Sequence, residues 1–244
     1  LLFSHLLLAC QKVSQILLIG DDQQLPSVAP GHVLKDLIES ECIPTIALHY
    51  IYRQSKESGI VQLAHSIRND QYDENLFFQY SDIHFQTCTP YDVVKYVRVL
   101  VSKALEDGYD GQDIQVLAPM YNGVAGIDAL NDCLQELLNP SDGFKNELRV
   151  GKRVFREGDK ILQLKNRVED NVFNGDIGTL VEICYKDNFE YLTDKMIVDF
   201  DGTIVEYTPQ EFYTLTHAYC MSVHKSQGNE FKIVIMPVLK DYYI

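Results

Sequence analysis

A chain of 244 residues with 46% hydrophobic content can bury a core and has room for one or two domains. Its net charge of -14 argues against a uniformly basic nucleic-acid binder, although a local groove can be positive on a negative molecule. The six cysteines, Cys10, Cys42, Cys88, Cys133, Cys184 and Cys220, form no C-x-x-C pair and have no histidine at metal spacing. They read as reduced core thiols, so neither zinc nor a disulfide framework is expected.

Residues 1–10 (LLFSHLLLAC) end in a pattern like a lipid-attachment box. The basic region and long apolar run of a secretory signal are missing, so an amphipathic helix already in progress at residue 1 is the expectation. No stretch approaches the roughly 20 apolar residues of a membrane span. Residues 15–20 (QILLIG) suit a strand buried on both faces of a parallel sheet. A helix is expected over 33–39, a short strand over 44–49, and a second helix where Ile60, Leu63, Ala64 and Ile67 repeat at helical spacing. Val93, Val97, Leu100 and Leu105 mark a further helix. Residues 114–118 read as a buried strand, followed by a helix over 125–138 that Asn139-Pro140 stops. Strand alternating with helix implies an α/β layer architecture.

The texture changes after Pro140. Short β-rich runs at 160–164, 178–185, 195–200 and 203–207 are separated by Gly, Asp and Asn. Asn174-Gly175 and Asp201-Gly202 are hairpin signals, because both turn positions tolerate positive φ. Together they predict a small antiparallel barrel inserted into the α/β part. A helix is then expected over 215–225 and a buried strand over 232–238.

Four segments carry a resemblance. Gly20-Asp21-Asp22-Gln23-Gln24-Leu25-Pro26 stands at the end of the first expected strand, where parallel sheets bind ligands. Tyr52-Arg53-Gln54 follows, then Val116-Leu117-Ala118-Pro119-Met120-Tyr121-Asn122-Gly123, and finally Val223-His224-Lys225-Ser226-Gln227-Gly228-Asn229-Glu230-Phe231. The last is too polar for a plain helix-to-strand connection. These segments resemble the motifs of RecD-like DNA helicases, the exodeoxyribonuclease V alpha subunit type, over the later part of the motor core.

The resemblance implies RecA-like parallel-sheet lobes of a P-loop NTPase helicase with the small barrel inserted. It implies the end of a first lobe at 1–48, a second lobe at 49–150 continuing at 213–244, and the barrel at 151–212. It places Asp21, Gln24, Arg53, Gly228 and Glu230 on the nucleotide, with ATP between the lobes. Gln24 senses the γ-phosphate, Arg53 reaches it from the opposite lobe, and Glu230 meets the ribose. Met120, Tyr121, Asn122, His224, Lys225 and Ser226 face DNA, and Phe231 is expected in the core. The implied cofactor is ATP with Mg²⁺. The implied partners are single-stranded DNA, duplex ends and other subunits of a recombination nuclease complex, in the cytoplasm; RecD-like relatives move 5′ to 3′.

The 244 residues hold no G-x-x-x-x-G-K-[ST] phosphate loop, no Asp-Glu pair before the first motif and no closing T-R-A motif. The main ATP and magnesium ligands are therefore expected outside this segment, which by itself is expected to be inactive. The competing expectation is a non-catalytic DNA-binding or assembly module derived from a helicase lobe. An unrelated small-molecule α/β enzyme would need a self-contained catalytic constellation, and the sequence offers none.

Overall fold

The computed structural model of the protein describes residues 2–22, 24, 31–48, 58–71, 75–186 and 192–239. Contacts divide the chain into a unit at residues 1–86 and a second at 87–244.

The first unit carries α1 (Leu2–Ala9), α2 (Val33–Glu39), α3 (Gly59–Arg68) and α4 (Leu76–Gln79). The start of α3 shows how local chemistry fixes an element. Asp82 accepts the Gly59 amide at 3.0 Å and the Ser58 hydroxyl at 2.7 Å, placing a carboxylate on the positive end of the helix. Those contacts, led by Ser58, hold the Asp82 carboxyl below its usual pKa. The two expected strands of this unit differ from the reading. Residues 15–20 and 44–48 join no ladder among the described residues, and Leu17, Ile19, Ile46 and Leu48 are between 77% and 93% exposed. An apolar run favours burial, but only a backbone partner makes it a strand.

The second unit has two layers of different kind. α5 (Val93–Glu106) and α6 (Ile127–Leu138) accompany β1 (Ile114–Leu117), with buried stripes of Val93, Val97, Val101 and Ala104 on α5 and Ile127, Leu130 and Leu134 on α6. These side chains share one core with Val116 and Cys220. All four residues of β1 are buried, as a strand covered on both faces must be.

The antiparallel part begins with the hairpin β2 (Glu147–Val150) and β3 (Arg153–Arg156). It continues through β4 (Lys160–Gln163), β5 (Ile177–Cys184), β6 (Lys195–Phe200), β7 (Thr203–Tyr207) and β8 (Leu215–His217). The last five pair in the order β7-β6-β5-β4-β8. In β6, Met196, Val198 and Phe200 alternate with less buried neighbours, the period-two pattern of a half-buried strand. They close a second core with Phe155, Ile161, Leu180, Val205, Tyr207 and Leu215.

The two turn signals behave differently. Asp201 and Gly202 both have positive φ, 51° and 91°, and join paired Phe200 and Thr203, as a two-residue hairpin requires. At Asn174-Gly175 only Gly175 has positive φ, 105°. This turn, closed by the Asp176 amide on the Phe173 carbonyl at 3.1 Å, ends a longer excursion between β4 and β5.

The helix expected over 215–225 is not formed. The chain runs from β8 into β9 (Cys220–Met221) and then a short 3-10 turn, Val223–Ser226. β8 lies in the antiparallel sheet, while β9 pairs with β1 in a parallel sheet of order β10-β1-β9, where β10 is Ile233–Ile235. Ala218 links the sheets, its amide donating to the Lys160 carbonyl at 2.8 Å. Six of the seven residues at 215–221 are buried; an amphipathic helix would expose one face of such a run. The cysteines also differ from a uniform core role. Cys184 and Cys220 are buried, Cys42 and Cys88 are exposed, and Cys10 and Cys133 lie between.

Candidate functional site

The parallel sheet positions the candidate nucleic-acid residues. Val116 pairs with Cys220 and Leu117 with Met221, and the Ala118 amide donates to the Met221 carbonyl at 3.0 Å. Both strands therefore end at the same edge. β1 delivers Met120, Tyr121 and Asn122 there, all exposed, and β9 delivers His224, Lys225 and Ser226. Residues far apart in the chain are brought to one sheet edge, the place where open α/β sheets meet ligands.

Each half is held by backbone bonds. The Met120 carbonyl accepts the Ile127 amide at 2.8 Å and the Tyr121 carbonyl accepts the Asp128 amide at 3.1 Å. The first turn of α6 thus finds its partners in the loop. Gly126 is required there: a Cβ would lie 2.6 Å from the carbonyl oxygens of Tyr121 and Asn122. On the other half, the Ser226 hydroxyl donates to the Val223 carbonyl at 2.8 Å. The half-buried Lys225 donates its ammonium to Asn174 Oδ1.

Of the candidate nucleotide residues, Asp21 and Gln24 are exposed in the first unit. Gly228 and Glu230 are exposed in the second, Gly228 with φ 90°. Arg53 lies outside the described residues. Gly228 turns the chain, with the Asn229 amide donating to the Ser226 carbonyl at 3.1 Å, two residues before the Glu230 carboxylate. Among the described residues no group of three His, Cys, Asp or Glu could hold a metal ion. Phe231, expected in the core, is half-buried instead, with Lys160 Nζ 5.3 Å from its ring centroid.

Sequence reasoning missed a buried polar cluster between α6 and the antiparallel strands. Asp159, fully buried, accepts from Gln135 at 2.7 Å, Asn139 at 2.8 Å, the Arg156 amide at 2.7 Å, Tyr219 at 2.9 Å and His217 at 3.1 Å. Burial pushes its carboxyl up, but these donors, led by His217, outweigh it and hold the pKa below the usual value. Next to it, burial lowers Lys160 to about 8, while its ammonium donates to the Ile114 carbonyl at 3.1 Å. Gln115 in β1 is also buried and donates to the Ala218 and Tyr219 carbonyls at 3.1 and 3.2 Å. Spacing gave no sign of these contacts, because their partners lie on different elements.

A parallel α/β layer with an antiparallel insertion, and polar loops gathered at its strand ends, is the architecture of the motor lobes of P-loop helicases. A family model described as the ATP-dependent RecD-like DNA helicase SH3 domain matches residues 130–200, and an AAA domain model matches residues 3–87. The ATP-dependent RecD2 DNA helicase of Deinococcus radiodurans is 33% identical over 96% of this chain and 30% of its own length. The RecBCD enzyme subunit RecD of Buchnera aphidicola subsp. Schizaphis graminum is 22% identical over 95% of this chain and 46% of its own. A solved Pif1 helicase from Bacteroides, in complex with ADP-AlF3 and ssDNA, is 16% identical with a TM-score of 0.48, over 91% of this chain and 55% of that one. The chain belongs to the RecD-like helicases, and it spans less than half the length of these curated relatives.

Proposed function

We propose that this chain is part of the motor of an ATP-dependent DNA helicase that couples ATP hydrolysis to translocation on single-stranded DNA and to duplex unwinding in recombination and repair. The observation that supports this reading most is the shared sheet edge, where β1 and β9 bring Met120–Asn122 and His224–Ser226 together. Exposed Tyr121 and Met120 offer faces for bases, and the Lys225 ammonium offers charge for a phosphate, a combination that tolerates any sequence. The resemblance assigns Asp21 and Gly228 to the nucleotide, Glu230 to the ribose, and Gln24 and Arg53 to the γ-phosphate. ATP with Mg²⁺ is the cofactor; when bound, the metal neutralises charge developing on the phosphates.

The phosphate loop and main magnesium ligands are not among these 244 residues, so we expect no ATP turnover from them alone. Duplex ends, and other subunits of a recombination nuclease complex, are the proposed further partners, and the cytoplasm the proposed location. Among the described residues no helix is long and apolar enough to cross a membrane.

The test is single-stranded DNA binding by the intact protein as salt is varied. Lys225→Ala is expected to weaken binding and lower the log-log salt slope by about 0.7, the value for one phosphate contact on a single strand. Unchanged affinity and slope would remove Lys225 from the DNA path. The competing reading, a non-catalytic module, predicts DNA binding without DNA-stimulated ATP hydrolysis.

A further inference from the structure

The hydrogen-bond partner of Lys225 belongs to the antiparallel insertion. Asn174 sits in the turn of residues 173–176, and that turn is fastened at several points. The Asn174 amide donates to Asn166 Oδ1 at 2.8 Å, and the Phe173 amide donates to Asp176 Oδ2 at 2.7 Å. The Gly175 amide donates to the Gln163 carbonyl at 2.9 Å, and the Gln163 amide donates to the Asp176 carbonyl at 2.9 Å. Gln163 is fully buried, and its Oε1 accepts the Tyr207 hydroxyl at 2.8 Å. A Cβ on Gly175 would stand 3.8 Å from the Lys225 carbonyl oxygen, so the turn also lies against the Lys225 backbone.

The chemistry of the partner matters as much as its position. A lysine ammonium has three donors, and the Asn174 carbonyl engages one of them without carrying a negative charge. A carboxylate in the same place would orient the ammonium but cancel its attraction for an anion. A free lysine would keep its charge but lose orientation to the rotamer freedom of its long stem.

We propose that Asn174 is a positioning residue for Lys225: the turn at residues 173–176 aims the ammonium and leaves its charge for a nucleic-acid phosphate. The inference rests on the reading that Lys225 contacts DNA. It gives the antiparallel insertion a part in that contact, through a side chain that acts by orienting Lys225.

The test measures binding of a fluorescent oligo-dT by the intact protein across a salt series, for Lys225→Ala, Asn174→Ala and Asn174→Asp, with folding checked by circular dichroism. Asn174→Ala is expected to reduce affinity by roughly three- to tenfold, the scale of one hydrogen bond, while the salt slope stays at the parental value. Asn174→Asp is expected to lower the slope by about 0.7, as Lys225→Ala does, because the new carboxylate neutralises the ammonium. A merely structural turn would not separate affinity from slope in this way. If Lys225→Ala weakens binding while both Asn174 variants match the parent in affinity and slope, the positioning role is overturned. If Lys225→Ala changes neither quantity, the underlying reading of Lys225 fails instead. Asn174→Ala keeps the test valid should the new carboxylate disturb the turn, since Gly175 supplies its positive φ.

Discussion

Asp159 shows how one residue can join two kinds of architecture. Its five donors come from α6, from Asn139 just past its end, from β3, from β8 and from Tyr219 between the two sheets. A buried carboxylate without such partners would be expelled or neutralised, so the side chain and its donors stand or fall together. Asp159→Ala strands those donors in the interior and is expected to destabilise the second unit by about 3–5 kcal/mol, read as a shift in urea unfolding. The pH dependence follows from the lowered carboxyl. The unfolded chain takes up the proton first, so the Asp159 contribution is complete above the ordinary carboxylate value of 3.8. It is lost as pH falls below that value toward the folded one. The stability difference between parent and variant should therefore shrink on acidification below about pH 4; a difference that is small and flat with pH would mean the cluster contributes little.

At the scale of elements, the helices of the second unit and most antiparallel strands were legible because each has its own period. The 3.6-residue repeat of α5 and α6 and the alternation of β6 are written in consecutive side chains. What was not legible depends on partners elsewhere. Residues 215–221 look like part of a helix in isolation, yet they form the strand run that passes from one sheet to the other. Residues 15–20 look like a strand and pair with nothing among the described residues. Half of the candidate site was readable as motif, while the hydrogen bond between Lys225 and Asn174 was not, because the motif says nothing about the turn beside it. The loop after β1 offers an element-scale test. Gly126→Ala forces a Cβ to within 2.6 Å of two carbonyl oxygens in the loop, and the expected cost is about 1–3 kcal/mol. Single-stranded DNA binding should weaken as Met120, Tyr121 and Asn122 are displaced. Gly111→Ala is the control, because its Cβ would meet only Leu138 side-chain atoms at 3.4 Å or more and should change neither stability nor binding appreciably.

At the scale of the whole molecule, the proposed function requires nucleotide chemistry to be transmitted to DNA, and Arg53 and Gln24 are proposed to divide that work. A guanidinium keeps its charge at any working pH and offers forked donors that can follow charge spreading over phosphoryl oxygens. Arg53 is proposed to act on the transition state rather than on bound ATP. Arginines that act in this way contribute roughly 10³ to 10⁵ in rate, so Arg53→Ala in the intact protein should lower turnover far more than nucleotide affinity, and unwinding should fall with it. Arg53→Lys is expected to recover little, since an ammonium retains the charge and loses the fork. Gln24, a neutral amide, can report the presence of the γ-phosphate by a hydrogen bond but cannot neutralise it. Gln24→Ala should therefore retain part of the basal hydrolysis and lose most of its stimulation by DNA. Steady-state ATPase with and without single-stranded DNA, measured beside nucleotide binding, separates the two roles. Near-parental turnover in Arg53→Ala would make Arg53 a surface residue, and full DNA stimulation in Gln24→Ala would remove Gln24 from the coupling path.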